Sequence, residues 1–235
     1  MSAVFSFKEF QVDQTDCAMK INTDGVLLAV LASSESPLRI LDIGTGTGVI
    51  ALMLAQRYAA AQVDAVEIDA QAGLRAEYNF RHSPFAERLH LVGQDFHTFV
   101  AAAPYDLIVA NPPFYTDSLP NPDERKRLAK HADRSFFEKL LTFVAQNLAP
   151  KGSFQLIIPP MLGDVLREEL LPQLGMYIVE EVAITSFAET PVIRVILRIA
   201  KDVAARKSSS FYIYASKGVH SEAYKAYLKP FFLAY

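Results

Sequence analysis

Asn111-Pro112-Pro113-Phe114-Tyr115 is the segment whose residue types restrict the chemistry most narrowly. Two adjacent prolines fix φ and donate no hydrogen bond, so the turn is stiff and its carbonyls stay available. An amine conjugated to a ring or carbonyl is a poor nucleophile because its lone pair is delocalised. The side-chain oxygen of Asn111 and the carbonyl of Pro112 can each accept one N–H of such an amine, which draws the lone pair out of conjugation. Phe114 offers a face on which a planar base stacks, and Pro113 and Tyr115 flank it on the substrate side. Catalysis there would rest on orientation and electrostatic stabilisation, with no covalent intermediate and no strong base.

A second cluster lies upstream, in Asp42-Ile43-Gly44-Thr45-Gly46-Thr47-Gly48. Alternating glycines let the backbone turn sharply and approach a ligand that a Cβ would hold off. Residues 46–51 also fit G-x-G-x-x-A, so the glycines alone leave a dinucleotide open. No Gly-Lys-Ser/Thr follows, which excludes an ATP-type phosphate loop. The surrounding acids favour S-adenosylmethionine. Asp42 can order the loop or meet the cofactor's ammonium through water. Glu67, 19 residues beyond Gly48, is placed to accept from both ribose hydroxyls. Asp95 can accept from the adenine amine while Phe96 packs on the ring. The expected cofactor residues are thus Asp42, Gly44, Gly46, Gly48, Glu67 and Asp95; Asp69 reads as a helix cap.

These residues need strands that end where they begin. Residues 38–43, 63–68, 89–92, 105–110 and 154–158 read as buried strands, and 49–58, 70–82 and 123–148 as helices. That alternation predicts an α/β fold with a doubly wound, mostly parallel sheet. Residues 176–185 and 192–200 are strand-like runs whose connection, 186–191, is too short for a crossover helix. They should pair antiparallel and close one edge of the sheet. Residues 24–33 read as a helix capped by Thr23 or Asp24, and the aromatic tail 211–235, with a turn at Lys217-Gly218, should pack back on the core. The expected organisation is one domain over 1–235: an extension at 1–36, a core at 37–200 and a tail at 201–235.

With 51% apolar and 21% charged residues in 235, the chain can bury a core and is not a disordered chain. A net charge of -3 gives no global field for nucleic acid, so any RNA contact needs a local basic patch. Residues 123–134 are one: Arg125, Lys126, Arg127, Lys130 and Arg134 outnumber Asp123, Glu124 and Asp133 by two. The same run also reads as a solvated helix face. Cys17 is the only cysteine, which excludes an internal disulfide framework and a cysteine-based zinc site. His82, His90, His97, His131 and His220 show no metal-ligand spacing, and no G-x-S-x-G occurs, so no metal is expected. No apolar run is long enough to cross a membrane, and residues 1–10 lack a secretory pattern. A soluble cytoplasmic protein is expected.

At 42–48 and 111–114 the sequence resembles the class I S-adenosylmethionine methyltransferases, in the branch that carries N-P-P-[FYW]. Phe7-Lys8-Glu9-Phe10, Ala18-Met19-Lys20 and Thr23-Asp24-Gly25-Val26-Leu27-Leu28 are similar to the N-terminal signature of the bacterial tRNA1(Val) (adenine(37)-N6)-methyltransferase family. Phe211-Tyr212-Ile213-Tyr214, Ser221-Glu222-Ala223-Tyr224 and Phe231-Phe232-Leu233 resemble that family's end. Ser216-Lys217-Gly218-Val219-His220 departs from it, since the family has an Asp-Gly turn and an aromatic there. The resemblance implies a seven-stranded Rossmann-like sheet with an antiparallel C-terminal pair. It implies methyl transfer from S-adenosyl-L-methionine to N6 of adenine 37 in the anticodon loop of tRNA1(Val), by a chain expected to be monomeric. It puts Asn111, Pro112 and Phe114 at the chemistry and Lys20 and Thr23 near the cofactor or the site's mouth. Arg125, Lys126 and Arg127 would meet RNA phosphates. Two other readings stay open: methylation of another amino group (guanine N2 of ribosomal RNA, or a protein glutamine), and a dinucleotide-dependent dehydrogenase or non-catalytic nucleotide-binding module. The Asn111–Phe114 turn speaks against the last of these.

Overall fold

Strands buried on both faces read as unbroken apolar runs, and such runs build the centre of this protein's sheet. A computed structural model describes residues 3–17, 20–113 and 122–235, of which 122–133 by backbone alone. The chain opens with a hairpin of β1 (Val4–Ser6) and β2 (Gln11–Asp13) and enters α1 (Thr23–Leu31). Strands and helices then alternate through β3 (Arg39–Ile43), α2 (Val49–Arg57), β4 (Gln62–Val66), α3 (Ala70–Arg81) and β5 (Leu89–Val92). They continue through β6 (Tyr105–Ala110), α4 (Pro122–Asn147), β7 (Leu148–Ile158) and α5 (Pro160–Val165). Next come β8 (Tyr177–Thr185), β9 (Val192–Ala200) and β10 (Lys207–Tyr212). A small hairpin of β11 (Tyr214–Ser216) and β12 (Val219–His220) leads into α6 (Glu222–Leu228).

The large sheet runs β10-β8-β9-β7-β6-β3-β4-β5. From β7 to β5 all neighbours are parallel, while β9 is antiparallel to both β7 and β8. The expected antiparallel pair is therefore present, with Val182 opposite Ile196. It does not close the sheet. β10 pairs parallel outside β8, from Lys207 opposite Glu180 to Tyr212 opposite Thr185, which makes eight strands rather than seven among the described residues. Lys207-Ser208-Ser209-Ser210 carries no apolar run to announce it; an edge strand tolerates exposed polar residues, and of this strand only Phe211 is buried.

Alternation along each strand divides the core in two. Ile40, Leu107, Val109, Ile157 and Ile196 face α1, α2 and the tail, where Leu28, Leu52, Tyr224 and Phe231 are buried. Leu41, Ile43, Ile108, Leu156 and Ile158 face α4, against Phe137, Leu140 and Val144. The first cluster also takes in the N-terminal hairpin. The rings of Phe7 and Phe232 meet edge-on at 5.4 Å, and Lys8 Nζ donates to the carbonyls of Lys229 at 2.6 Å and Tyr235 at 2.7 Å.

Asp69 caps α3, accepting the Ala72 N–H at 2.8 Å. For α1 the cap is Asn22, not Thr23 or Asp24: its Oδ1 accepts the Gly25 N–H at 2.8 Å, and the helix starts one residue before the expected position. Among the described residues no helix is long and apolar enough to cross a membrane.

Candidate active site

Ala110, Ile43, Val66 and Val92 stand in one register row across β6, β3, β4 and β5. The residues that follow them, Asn111, Gly44, Glu67 and Gly93, therefore leave the sheet side by side at its carboxyl edge. Adjacent strands lie about 4.8 Å apart, so the row spans about 14 Å. The chain departs from β3 toward β4 on one side, and β6 lies on the other. Asn111 and Gly44 thus flank the topological switch point, where open α/β sheets bind ligands.

The glycine loop is anchored to β4 by the amides of Gly44 and Thr45, which donate to Val66 O at 2.8 and 3.1 Å. Gly44 and Gly46 adopt φ of +71° and +58°, and a Cβ on either would meet nothing among the described residues within 4 Å. The loop is left-handed and open above, a cradle for a ligand rather than a packing requirement. Gly48 differs: at φ +86° its Cβ would stand 2.4 Å from the ring of Phe80, so packing alone demands glycine there. Asn79, buried in α3, donates to the Thr47 carbonyl at 2.9 Å and exchanges hydrogen bonds with the Asp13 backbone, tying the loop to β2. Nothing in the helix periodicity singled Asn79 out, apart from an amide on a face that is otherwise apolar.

Asp42 is fully buried on the α1 and α2 side of the sheet. Thr45 Oγ1 donates to its Oδ2 at 2.6 Å, while Oδ1 has no hydrogen-bond partner among the described residues. Burial pushes the carboxyl up to about 7; the Thr45 hydroxyl and the Ala51 amide pull the other way, and the charge of Glu67 adds to the rise. Both oxygens of Glu67 are engaged, each with acceptor capacity left: Oε2 accepts the Gly46 N–H at 2.8 Å and Oε1 the Asp69 N–H at 2.9 Å. Beside it Ile68 is 70% exposed, an apolar lip on the same edge that the acid-centred reading passed over. An orphaned carboxylate oxygen, an open glycine cradle and an exposed apolar lip suit a polar, cationic cofactor with a ribose and a flat base.

Asp95 caps the short turn at Phe96–Thr98, with Oδ1 accepting from the His97 amide at 3.0 Å and meeting its ring nitrogen. Phe96 does not present its ring at the edge as expected. It is buried beneath, with Phe143 and Phe136 of α4 edge-on at 5.6 and 5.9 Å. Residue 96 thus serves the core, and strand pattern alone does not reveal to which face a residue past a strand end turns.

Across the crevice, Asn111 is partly buried, Pro112 buried and Pro113 exposed. A Cβ on Gly25 would lie 3.5 Å from Asn111 Nδ2 and 3.6 Å from Ile50 Cδ1, so the Asn111 amide lies near the first turn of α1, with room for a methyl group between them. Thr23, in that turn, and Lys20 are exposed. Phe114 and Tyr115 lie outside the described residues. Arg125, Lys126 and Arg127 fall in the opening turns of α4, with their side chains outside the description. Arg134, counted in the same basic run, is engaged by Glu138 at 2.9 Å and by Glu169, so its charge is neutralised within the fold. Asp24 is also taken, by Arg194 of β9 at 2.7 Å; no spacing in the sequence connects those two.

The methyltransferase small domain family matches residues 10–165. The tRNA1(Val) (adenine(37)-N6)-methyltransferase of Pedobacter heparinus is 46% identical over the whole of both chains, and that of Parabacteroides distasonis 40% identical over 97% of each. The protein of the same name from Serratia proteamaculans is 34% identical over 98% of this chain and 90% of its own. Among solved structures, one described as a predicted O-methyltransferase from Agrobacterium tumefaciens superposes with a TM-score of 0.65 at 17% identity, covering 88% of this chain and 96% of that one. A glycopeptide N-methyltransferase complexed with S-adenosyl-L-methionine gives 0.54 at 14% identity over 80% of this chain and 99% of that one. At such identities the structural likeness is one of fold.

Proposed function

The chain belongs to the tRNA1(Val) (adenine(37)-N6)-methyltransferase family, and on that premise we propose that it transfers a methyl group from S-adenosyl-L-methionine to the exocyclic N6 of adenine 37 in the anticodon loop of tRNA1(Val). The reading is supported above all by the register row on which Asn111, Gly44 and Glu67 follow one another across the switch point. The bound cofactor supplies an electrophilic methyl on a sulfonium. Asp42 and the glycines at 44, 46 and 48 receive it, with Lys20 and Thr23 at the mouth. Glu67, whose oxygens each keep a lone pair beyond the amide they accept, would hold the ribose hydroxyls, and Asp95 would accept from the adenine amine with its second oxygen.

Asn111 and Pro112 do the chemistry by geometry. The Asn111 side-chain oxygen and the Pro112 carbonyl each accept one N6–H, which aims the nitrogen lone pair at the methyl. As the N6–C bond forms and the S–C bond breaks, N6 becomes cationic and releases one proton to water. Acceptors therefore suffice, and no strong base is required. Phe114 stacks on the adenine, with Pro113 and Tyr115 beside it. An anticodon-loop base is unpaired, so extruding it costs only about a few kcal/mol of stacking. Arg125, Lys126 and Arg127 meet backbone phosphates. The enzyme works as a monomer in the cytoplasm, without a metal.

Incubation with unmodified tRNA and labelled cofactor, followed by nucleoside analysis, tests this. N6-methyladenine at position 37 is the expected product. Methyl on guanine N2 or on a protein glutamine overturns the assignment, as does binding of NAD in place of S-adenosylhomocysteine.

A further inference from the structure

We infer that the ion pair between Asp24 and Arg194 positions Asn111, setting the angle at which its side-chain oxygen meets the acceptor amine; this deepens the proposed function and rests on the role given there to Asn111. Arg194 Nε donates to Asp24 Oδ2 at 2.7 Å, joining the first turn of α1 to the start of β9 across 170 residues of sequence. Arg194 Nη1 also donates to the Ile193 carbonyl at 2.8 Å, which fixes the guanidinium against its own strand. β9 neighbours β7 and β7 neighbours β6, so the pair ties the helix to the sheet two strands from Asn111. The side chains of Asp24 and Arg194 are 22% and 31% exposed, so solvent screens their attraction less than at an open surface.

Val26 and Leu27 anchor α1 in the core, whereas among the described residues its exposed start is held by few side chains. Asn22 and Thr23 are exposed, and Asn22 Oδ1 is spent on the Gly25 N–H. Burial begins at Gly25, the residue nearest which the Asn111 amide lies. Of the Asn111 amide atoms, Nδ2 is the one nearest Gly25, at 3.5 Å from its Cβ position. The helix turn therefore stands a methyl's breadth from the amide nitrogen, and a tilt of that turn toward it re-aims the oxygen without any change in the Asn111 backbone. Arg194 and Asp24 act through Asn111 and touch no reacting atom.

The test uses the full chain with Asp24→Asn, Arg194→Ala and Arg194→Lys. Single-turnover methyl transfer, the KM for tRNA, calorimetric binding of S-adenosylhomocysteine and the 15N resonance of the Asn111 side-chain amide (assigned with Asn111→Ala) are recorded for each. Misplacing a reacting group by a fraction of an ångström to 1 Å slows catalysis by about 10- to 100-fold, and Asp24→Asn and Arg194→Ala should fall in that range. Their S-adenosylhomocysteine affinity and tRNA KM should stay at wild-type values while the Asn111 resonance moves, and Arg194→Lys should recover part of the rate. An unchanged rate, an unmoved Asn111 signal, or a loss confined to tRNA KM overturns the inference; the last would make the pair an RNA contact. If the wild-type product is not N6-methyladenine, the parent reading fails, yet the resonance and the rate measured on the true acceptor still decide whether the pair positions Asn111.

Discussion

Glu67 Oε2 accepts the Gly46 N–H at 2.8 Å, so the acid just beyond β4 and the second glycine of the loop hold each other at the carboxyl edge of the sheet. On the proposed function the same carboxylate also receives the ribose hydroxyls.

Glu67→Gln should therefore weaken cofactor binding without unfolding the protein. A hydrogen bond to a charged group contributes about 1.5–3 kcal/mol, so affinity for S-adenosylhomocysteine should drop about 10- to 100-fold by calorimetry. Gly46→Val should abolish binding outright, because φ +58° strains a branched side chain that would also fill the open cradle. Unchanged affinity in the glycine variant would place the pocket elsewhere.

Asp42 gives the unliganded protein a pH-dependent stability whose sign is set by its raised pKa. The folded state holds the proton up to about 7, whereas the unfolded chain releases it near the ordinary value of 3.8. Between these values the folded state binds more protons, so the contribution is complete below the lower value and lost as pH rises through the upper one. The Tm of the protein should fall over that window, and Asp42→Asn should flatten the fall. A Tm that rises in the wild type with no change in slope in the variant would refute this assignment.

Asn111→Ala should lower kcat by about 100-fold or more while changing the KM for tRNA little, as removal of a preorganised polar contact does. Asn111→Asp keeps an acceptor oxygen and sets its charge against the first turn of α1, where the helix dipole tolerates it, so part of the activity should remain. Steady-state kinetics on unmodified tRNA separate the two, and near wild-type turnover in the alanine variant would remove Asn111 from the mechanism.

The basic run at the start of α4 is divided by its end. Arg134→Ala breaks the pairs with Glu138 and Glu169 and should leave the salt dependence of tRNA binding unchanged. Changing Arg125, Lys126 and Arg127 together to Ala should weaken tRNA binding and make its log–log salt slope shallower by about 2, with cofactor affinity unaffected. Equal slopes for the triple variant and the wild type would assign these residues to solvent.

What the sequence disclosed follows from how each signal arises. The central strands and the glycine loop were legible because double-sided burial writes continuous apolar runs, and a left-handed loop writes glycines. Asn22 was missed as the cap since Thr23 and Asp24 are equally good cap types, and only the hydrogen bond to Gly25 separates them. β10 was missed because its polar serines sit at an edge. The Asp24–Arg194 pair joins residues with no pattern between them, and the inward turn of Phe96 depends on α4 packing beneath it. Burial patterns survive in one dimension; partner choice among polar groups does not.

The meeting of Phe7 and Lys8 with residues 229–235 has a temporal meaning. These contacts span more than 220 positions, 221 for Lys8 with Lys229, so they can close only after nearly all of the described chain has been synthesised. They come late because the tail is made last, whereas β3 to β6 can assemble from a nascent chain as it emerges. The N-terminal hairpin, which holds the glycine loop through Asp13 and Asn79, is thus fastened from behind by the tail. A chain halted before residue 229 would carry the whole register row of its site on a support that has not yet been locked.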